Sequence, residues 1–406
     1  MWNPFSSNKK KCLYCGANQT PSHTLSRIES TITVATTDFQ ERFLRSRIAR
    51  PGYSLGEWLI MRLLDLAVFL HVITFSDDVQ TAPITRGRVL WEEAVKRGID
   101  MQNLRFLGKP TDLFRARFLP TDKYFYFSGL PRKQGADNPA LAWMDDKAVL
   151  KKRLREANIP VPNGGSFSSY EKARQVFHSL SKPVIVKPRL GSRGRHTTTF
   201  ISNEADLKKA IKIAQRMCRY FIMEEHLTGA VYRGTVIDGI VRGILGGDPP
   251  RITGDGVHTI VELARMKNET KDPRVKDAEI NHMMEDFLAR QEYTFETILQ
   301  NGKTIDLSEK IGLSYGGSSA EVTETTHPKI ISYLEQAAKT VDDPILGFDF
   351  IIEDIMRDPD TQKWGIIECN ALPFINLHHS PLVGTPKNIA GYVWDYIYRE
   401  EMKEKR

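Results

Sequence analysis

The segment ILGFDFIIEDIMRDPDTQKWGIIECN, residues 345–370, consists of two apolar runs joined by a polar, acidic stretch. The β-branched and aromatic residues of each run predict strands, and Pro359 in the acidic stretch predicts a turn. In an antiparallel hairpin with that turn, Asp349 falls opposite the stretch from Glu368 to Asn370. Glu368 and Asn370 share one face of their strand because strand side chains alternate. The segment therefore predicts a hairpin that gathers three oxygen-bearing side chains on one patch.

Such a patch would place two carboxylates at the ends of apolar strands. An unpaired carboxylate in an apolar setting is costly, so a cation is expected to compensate it. Oxygen donors without nitrogen or sulfur are typical of Mg²⁺ sites. We therefore predict a metal site at Asp349, Glu368 and Asn370. The alternative is that the two acids are solvated strand ends.

The composition indicates a soluble globular protein that binds an anion. The chain has 406 residues, enough for two or three domains, with 41% hydrophobic and 26% charged residues. The net charge of +7 suits a nucleotide, a nucleic acid or an acidic membrane surface without choosing among them. Only 4 cysteines are present, so we expect no disulfide framework and a reducing, cytoplasmic compartment.

The first 80 residues carry the weakest signals. They lack the apolar core of a signal peptide, and residues 29–37 predict a strand. The apolar window at 58–75 contains Arg62, Asp65 and His71, so it predicts an amphipathic or buried helix rather than a membrane span.

From residue 81 onward helices and strands are mixed, which predicts an α/β (α+β) fold. The predicted helices cover 85–99, 144–159, 170–180, 203–219 and 327–340. The predicted strands cover 103–108, 112–118, 123–129, 182–188, 220–229, a hairpin at 231–247 that turns at Asp238-Gly239, and the two strands of residues 345–370.

A glycine-rich cationic loop follows a predicted strand in VIVKPRLGSRGRHTTTF, residues 184–200. Lys187 ends the strand, and glycines let backbone N–H groups converge on an anion. The loop therefore predicts a phosphate site, with a mobile surface loop as the alternative. Its glycines and polar residues are Gly191, Ser192, Arg193, Gly194 and Arg195.

Three further blocks occur in a characteristic order. They are RITGDGVHTIVEL at 251–263, LSYGGSSAEVTETTHP at 313–328, and GFDFII with GIIECNALP at 347–352 and 365–373. The chain from 144 to 398 resembles the ATP-grasp segment of cyanophycin synthetases and bifunctional glutathione synthetases. Residues 144–162 also resemble the opening of the grasp in D-Ala-D-Ala ligases. The resemblance implies an ATP-grasp fold, with two α+β lobes that hold ATP between them.

The resemblance also implies a division of the chain. We expect an N-terminal region of unknown role at 1–80 and a lobe preceding the grasp at 81–143. The ATP-grasp domain would cover 144–398, and a charged tail would cover 399–406.

Roles for individual residues follow from the same resemblance. Lys147 and Lys187 would contact the ATP phosphates, and Arg233 would lie near the transferred phosphate or the substrate carboxylate, so Lys187 and Arg233 are the expected catalytic residues. The loop Gly191, Ser192, Arg193, Gly194 would close over the triphosphate. The side chain of Glu224 would bind the adenine amino group, and the backbone of Glu225, His226 and Leu227 would contact the ring edge. Two Mg²⁺ ions, with Mn²⁺ as an alternative, would bind Asp349, Glu368 and Asn370. Residues 313–319 would line a substrate pocket.

The sequence departs from these relatives at two positions. Val231 stands where many of them have an acid that contacts the ribose, and Gly312 stands where they often have Asn. The Mur-ligase-like module of cyanophycin synthetases does not occur in this sequence. We therefore do not expect this chain alone to make cyanophycin.

The expected function is an ATP-dependent carboxylate–amine ligase that acts on amino acids or peptides through an acyl phosphate. One alternative is a nucleotide-binding protein without ligation, a sensor or scaffold. Another is a kinase that uses the same magnesium site. We expect no nucleic-acid partner and no membrane span, and a homo-oligomer is compatible with the sequence.

Two smaller patterns remain. Cys12-x-x-Cys15 with His23 offers three zinc ligands, but a closed zinc site needs four and the other cysteines lie far away in apolar segments. The pattern therefore favours ordinary thiols, or a site bridging two copies, over zinc. His378 and His379 follow the second strand of the hairpin and are interpreted as part of a polar loop rather than of the pocket.

Overall fold

The computed structural model describes residues 12–16, 19–43, 67–121, 123–132, 143–191 and 194–403. The predicted loop residues Ser192 and Arg193 lie outside the described residues, as do positions 58–66 of the predicted apolar helix.

The N-terminal helix α1 (His23–Phe43) covers the stretch for which the sequence predicted a strand at 29–37, so that prediction was wrong. The hydroxyls of Thr33 and Thr37 donate to backbone carbonyls four residues earlier, at 3.0 and 2.9 Å, which satisfies them inside the helix. The helix is also held from outside, because Asp38 accepts a 2.5 Å hydrogen bond from Arg189. Tertiary contacts thus override the β propensity of a threonine-rich run.

The first sheet precedes the predicted grasp domain. Its elements are β1 (Ile73–Ser76), α2 (Thr85–Lys96), β2 (Ile99–Phe106), β3 (Lys109–Phe118) and β4 (Phe125–Ser128). The strands are antiparallel in the order β1-β2-β3-β4. Residues 73–75, predicted as the end of a helix, instead pair with the edge of β2, so this lobe begins before residue 81.

The second sheet follows an N-terminal helix of the grasp region. Its elements are α3 (Lys147–Glu156), β5 (Gly164–Phe167), α4 (Tyr170–Phe177), β6 (Val184–Pro188), β7 (Thr198–Ile201), α5 (Glu204–Ala214) and β8 (Phe221–Glu225). The strand order is β5-β8-β6-β7. Asp146 begins α3 by accepting hydrogen bonds from the amides of Ala148 and Val149, at 2.9 and 3.3 Å. The apolar faces of helices α4 and α5 pack on this sheet. Phe177 and Leu207 of the helices form one buried cluster with Val186 and Phe221 of the sheet.

The remaining strands are β9 (Ala230–Ile237), β10 (Ile240–Asp248), β11 (Arg251–Thr253), β12 (Thr304–Asp306), β13 (Ser318–Glu321), β14 (Ile345–Ile352) and β15 (Gly365–Asn370). Five of them form an antiparallel sheet in the order β13-β10-β9-β14-β15, and β11 pairs with β12. The predicted hairpin of β9 and β10 is confirmed, with Asp238 and Gly239 in the left-handed region at φ 55° and 73°.

The helices of this half are α6 (Ile260–Thr270), α7 (His282–Ala289), α8 (Pro328–Val341), α9 (Asn376–His379) and α10 (Ile389–Lys403). Helix α8 buries Leu334 against Phe348 and Phe350 of β14. Helix α10 packs against α2, where the indole of Trp394 donates a 2.9 Å hydrogen bond to the carbonyl of Leu90, and the same indole contacts Phe118 and Phe127 of the first sheet. Because α10 continues to Lys403, the predicted tail at 399–406 begins inside a helix. Within the described ranges, no helix combines the length and apolar character needed to cross a membrane.

Candidate active site

A cavity of about 700 Å³ lies between the second sheet and the five-stranded sheet. Every site residue predicted from the sequence lines it, except Ser192 and Arg193, which lie outside the described residues. The lining members are Lys147, Lys187, Gly191, Gly194, Glu224, Glu225, His226, Leu227, Arg233, Asp349, Glu368 and Asn370. Residues from distant parts of the chain thus converge on one space.

Three charged side chains form a row across adjacent strands of this cavity. Asp349 on β14 is the direct neighbour of Arg233 on β9 and of Glu368 on β15, so the predicted hairpin pairing is confirmed. Arg233 donates two hydrogen bonds to the Asp349 carboxylate, from Nε at 2.6 Å and from NH2 at 2.7 Å. The amide nitrogen of Asn370 lies 3.5 Å from Asp349 Oδ2 and 3.4 Å from Glu368 Oε1. We call Arg233, Asp349, Glu368 and Asn370 the acidic row.

The two carboxyl groups of the acidic row differ in their electrostatics. Burial raises the pKa of Asp349 to about 6, although Arg233 opposes the shift. Burial also acts to raise the pKa of Glu368. The Lys147 ammonium 3.4 Å away, a hydrogen bond with Asp349 and the charge of Arg233 outweigh burial and lower this pKa to about 2. Glu368 is therefore anionic at neutral pH, and Lys147 and Arg233 supply cationic partners to Glu368 and Asp349.

A lysine of helix α3 and a lysine of strand β6 share one buried acid. Glu224, which is 2% exposed, forms ion pairs with Lys187, at 2.5 Å, and with Lys151. Burial lowers the pKa of Lys151 to about 7 despite this partner. Lys147 donates a 2.5 Å hydrogen bond to the carbonyl of Gly191, which ties α3 to the glycine-rich loop.

Lys151 was missed by the sequence analysis, although its spacing carried a signal. It lies four residues after Lys147, on the same helical face, and its ammonium pairs with Glu224, which lines the cavity. Both oxygens of Glu224 are paired with lysines, so the acid positions Lys151 and Lys187. Its predicted contact with the adenine amino group stays a prediction.

An apolar corner of the cavity contains the predicted adenine residues. The rings of Phe200 and His226 lie 4.5 Å apart, and burial lowers the pKa of His226 to about 4, so this imidazole is neutral at pH 7. The amides of Glu225 and His226 donate to the carbonyls of Asn163 and Pro183, at 2.9 and 3.0 Å. The predicted contact of the backbone of Glu225, His226 and Leu227 with the ring edge stays a prediction. Val231, which replaces the expected acid, also lines the cavity.

The predicted substrate loop at 313–319 also lines this cavity. Gly312 precedes it with φ 92° and ψ 178°, a conformation essentially restricted to glycine. A Cβ on Gly317 would lie 1.9 Å from the carbonyl oxygen of Asp248, so the close approach to β10 also requires glycine. The glycines thus fix the path of this loop along the cavity wall.

Comparisons with known proteins agree with this geometry. The family model for the carbamoyl-phosphate synthase L chain, ATP binding domain, matches residues 146–229. The chain is 33% identical over 325 residues to a glutathione biosynthesis bifunctional protein of Clostridium perfringens, covering 77% of this chain and 40% of the relative. It is 29% identical over 264 residues to the cyanophycin synthetase of Synechocystis, covering 62% of this chain and 30% of the relative.

Among solved structures, a bifunctional glutathione synthetase from Pasteurella multocida matches with a TM-score of 0.52 and 25% identity, covering 78% of this chain and 44% of that one. The chain is similar in sequence and fold to ATP-grasp proteins. It spans less than half the length of the relatives named here.

This similarity confirms the predicted ATP-grasp fold. The second sheet and the five-stranded sheet, each with its helices, are the two α+β lobes, and the cavity lies between them. The first sheet and α1 lie outside these lobes. The cavity is therefore the candidate active site of an ATP-grasp protein.

Proposed function

We propose that this chain is an ATP-dependent carboxylate–amine ligase that joins amino acids or peptides through an acyl phosphate. The named relatives support this proposal, since one makes glutathione, a tripeptide, and another is a cyanophycin synthetase. The cavity supports it independently, because it combines cationic, acidic and apolar regions that suit the parts of a nucleotide and a second substrate.

The nucleotide would lie between the lobes. The adenine would occupy the apolar corner near Phe200 and Leu227, and the triphosphate would extend toward Lys147 and Lys187. Both ammonium groups are already paired with carboxylates, at 3.4 and 2.5 Å. Phosphate oxygens would therefore compete with those carboxylates, or share the lysines with them.

The acidic row fits a hard divalent cation. It presents carboxylates at one point of the cavity, and oxygen donors of this kind suit Mg²⁺, with Mn²⁺ as an alternative. Asn370 would contribute its amide oxygen after a half-turn of the amide, whose two ends are nearly isosteric. Two ions held by Asp349, Glu368 and Asn370 would neutralise phosphate charge and align the reacting oxygens.

The proposed reaction has two balanced steps. A substrate carboxylate oxygen forms a bond to the γ-phosphorus while the bond to the ADP oxygen breaks, which yields an acyl phosphate. An amine nitrogen then bonds to the acyl carbon, loses a proton, and displaces inorganic phosphate. Lys187 and Arg233 would stabilise charge on the transferred phosphoryl group, so the protein acts by positioning and electrostatics.

The observation that carries the proposal is the acidic row itself, since Arg233, Asp349 and Glu368 are cross-strand neighbours and Glu368 lies 3.4 Å from the ammonium of Lys147. Glu368→Gln should abolish ADP formation, because it removes one anionic metal ligand while keeping the side-chain volume. Glu353→Gln is the matched control, an exposed glutamate just beyond the end of β14, the strand that pairs with the β15 strand of Glu368. Wild-type turnover by Glu368→Gln would refute the proposal.

The reaction class is tested by incubating the protein with ATP, Mg²⁺ and pooled amino acids, followed by mass spectrometry of the products. Amino-acid-dependent release of ADP and phosphate, with a new amide product, is expected. A stable phosphorylated product would instead identify a kinase. Nucleotide binding without ADP release would identify a sensor or scaffold.

A further inference from the structure

Four side chains with sulfur or nitrogen donors meet where the N-terminal segment touches the second sheet. Their donor atoms all lie within 4.8 Å of one another, and none of them belongs to the candidate active site: Cys12, Cys15, His23 and His196. We call them the Cys₂His₂ cluster. Three come from the pattern in which the sequence analysis favoured ordinary thiols, and the fourth is contributed from more than 170 residues away.

We propose that the Cys₂His₂ cluster is a structural zinc site that fastens the N-terminal segment to the base of the glycine-rich loop. Two thiolates and two imidazoles are a common ligand set of closed, tetrahedral zinc sites. Such a site contributes directly to folding stability, because the ligands come together only in the folded chain.

Four of the six distances between donor atoms of the cluster are close to those of a tetrahedron around zinc, and the other two are below 4.8 Å. Zn–S bonds of about 2.3 Å and Zn–N bonds of about 2.0–2.1 Å imply S···N separations of roughly 3.5 Å and an N···N separation of roughly 3.3 Å. The Cys12 and Cys15 sulfurs both lie near His196 Nε2, at 3.6 and 3.4 Å. Cys15 Sγ also lies 3.4 Å from His23 Nε2, and the two Nε2 atoms are 3.1 Å apart. The space between the four donor atoms is therefore the right size for one zinc ion.

His196 is oriented as a metal ligand would be. Its Nδ1 lies 2.8 Å from the carbonyl oxygen of Ile213, so Nδ1 carries the proton and the Nε2 lone pair faces the cluster. The residue is fully buried and has φ 55°, an uncommon conformation for a non-glycine residue. Its amide also donates a 3.1 Å hydrogen bond to the carbonyl of Tyr14, so backbone and side chain reach the same turn.

The turn that carries the cysteines is built to present them together. Leu13–Cys15 forms a 3₁₀ turn, and Gly16 follows with φ 59°. Gln19 closes the turn, because its amide nitrogen donates to the carbonyls of Cys12 and Gly16 at 2.8 and 2.6 Å. Both cysteines are free thiols, so neither is consumed in a disulfide.

The Cys₂His₂ cluster lies next to the candidate active-site cavity, so a metal there would affect the cavity wall. His196 follows Gly194 and Arg195, which line the candidate nucleotide site. Zinc would thus hold the chain directly after two residues that line the candidate nucleotide site. This consequence rests on the proposed function, whereas metal binding does not.

Metal content of the full chain, purified without a histidine tag, tests the proposal. We expect about one zinc per chain by elemental analysis. After removal of the metal by a chelator, Co²⁺ should restore one equivalent and give the visible absorption of tetrahedral cobalt with thiolate charge-transfer bands. Cys12→Ser and His23→Ala, at partly exposed positions, should each lose the metal and the cobalt spectrum. Cys218→Ala and His258→Ala are the matched controls and should keep both.

Absence of stoichiometric metal from the reduced wild-type chain, both as purified and after incubation with Zn²⁺ or Co²⁺, would overturn the proposal. The same conclusion would follow if the ligand variants and the controls bound equal amounts of metal. A chain that binds one zinc but neither binds nor hydrolyses ATP would support the zinc site and refute the proposed function. The two proposals can therefore fail separately.

Discussion

Arg233 and Asp349 are cross-strand neighbours, and the guanidinium of Arg233 makes two hydrogen bonds to the Asp349 carboxylate at 2.6 and 2.7 Å. Both side chains are largely buried, with 21% and 10% of their surface exposed. A bidentate pair of this kind fixes the direction in which the carboxylate points. Arg233 therefore orients Asp349 in addition to any contact it makes with substrate.

Replacing Arg233 with methionine should lower both stability and activity, and adding Asp349→Leu should restore stability without restoring activity. We expect Arg233→Met to lower the free energy of unfolding by about 3–5 kcal/mol, because it leaves a buried carboxylate unpaired. Arg233→Met with Asp349→Leu should regain much of that loss, since no unpaired charge remains. ADP formation should fall by about 100-fold or more in both variants.

Urea denaturation and an ADP-release assay measure the two effects. Arg399→Met is the matched control, because the pair that Arg399 forms with Asp238 is exposed and should contribute at most about 1 kcal/mol. Equal stability losses in the single and double variants would contradict the buried-pair argument. Recovery of activity in the double variant would contradict a role for Asp349.

The buried lysine Lys151 should make stability depend on pH. Its pKa is about 7 in the folded protein and about 10.4 in an unfolded chain. Between these values the unfolded chain binds more protons at this site, so the free energy of unfolding rises with pH, by up to about 1.4 kcal/mol per pH unit. Below pH 7 both states are protonated and this contribution to the slope disappears.

Lys151→Met removes that titration. The difference in unfolding free energy between the wild type and this variant should therefore grow from pH 7 to pH 9 in denaturant titrations. Lys152→Met, at the exposed neighbouring position, should follow the wild type at each pH. Parallel curves for the wild type and Lys151→Met would show that Lys151 keeps its proton throughout this range.

Much of the cavity could be predicted because its signals are local. Pro359 in an acidic stretch sets the turn, and the period of two then places Asp349 opposite Glu368, as the sheet confirms. The lysine and glycines of the loop after β6 were recognisable for the same reason, since strand, charge and glycine occur within one short segment.

The remainder depends on contacts between distant segments. No local pattern connects Cys15 with His196, or Lys151 with Glu224, although each pair is in contact in the fold. The strand predicted at 29–37 failed for a related reason, because docking of α1 through Asp38 outweighs the propensity of its threonines. His378, interpreted as part of a polar loop, is instead fully buried in α9.

His378 should stabilise the five-stranded sheet through a buried network. Its Nδ1 lies 2.6 Å from Glu321 Oε2 and its Nε2 lies 2.8 Å from Thr235 Oγ1. Burial acts to raise the pKa of Glu321, but the hydrogen bond from His378 lowers it. We expect His378→Leu to cost about 3 kcal/mol of unfolding free energy, because Oε2 of the buried Glu321 carboxylate loses its hydrogen-bond partner while Oε1 keeps those from Ile244 and Thr323.

Removing both partners separates this effect from the loss of packing. His378→Leu with Glu321→Met should be more stable than His378→Leu alone, as measured by urea denaturation. His282→Leu, at an exposed histidine that begins α7, is the control and should change stability little. A double variant as unstable as the sum of its singles would show that the network carries no coupling.

Gly312 should be required for the shape of the substrate loop. Its φ of 92° with ψ of 178° is essentially restricted to glycine, and its carbonyl accepts hydrogen bonds from the amides of Tyr315 and Gly317, at 3.0 and 3.1 Å. Gly312→Asn restores the residue type common among the resembling ligases, yet we expect it to cost about 1–3 kcal/mol of backbone strain. Because residues 313–319 follow it along the cavity wall, the KM for the amino-acid substrate should rise more than the KM for ATP.

Gly239→Asn is the matched control, since that glycine lies in an open hairpin turn where asparagine is tolerated. A Gly312→Asn variant with unchanged stability and unchanged KM would show that the loop adopts another path in solution, and that the glycine does not set the substrate pocket.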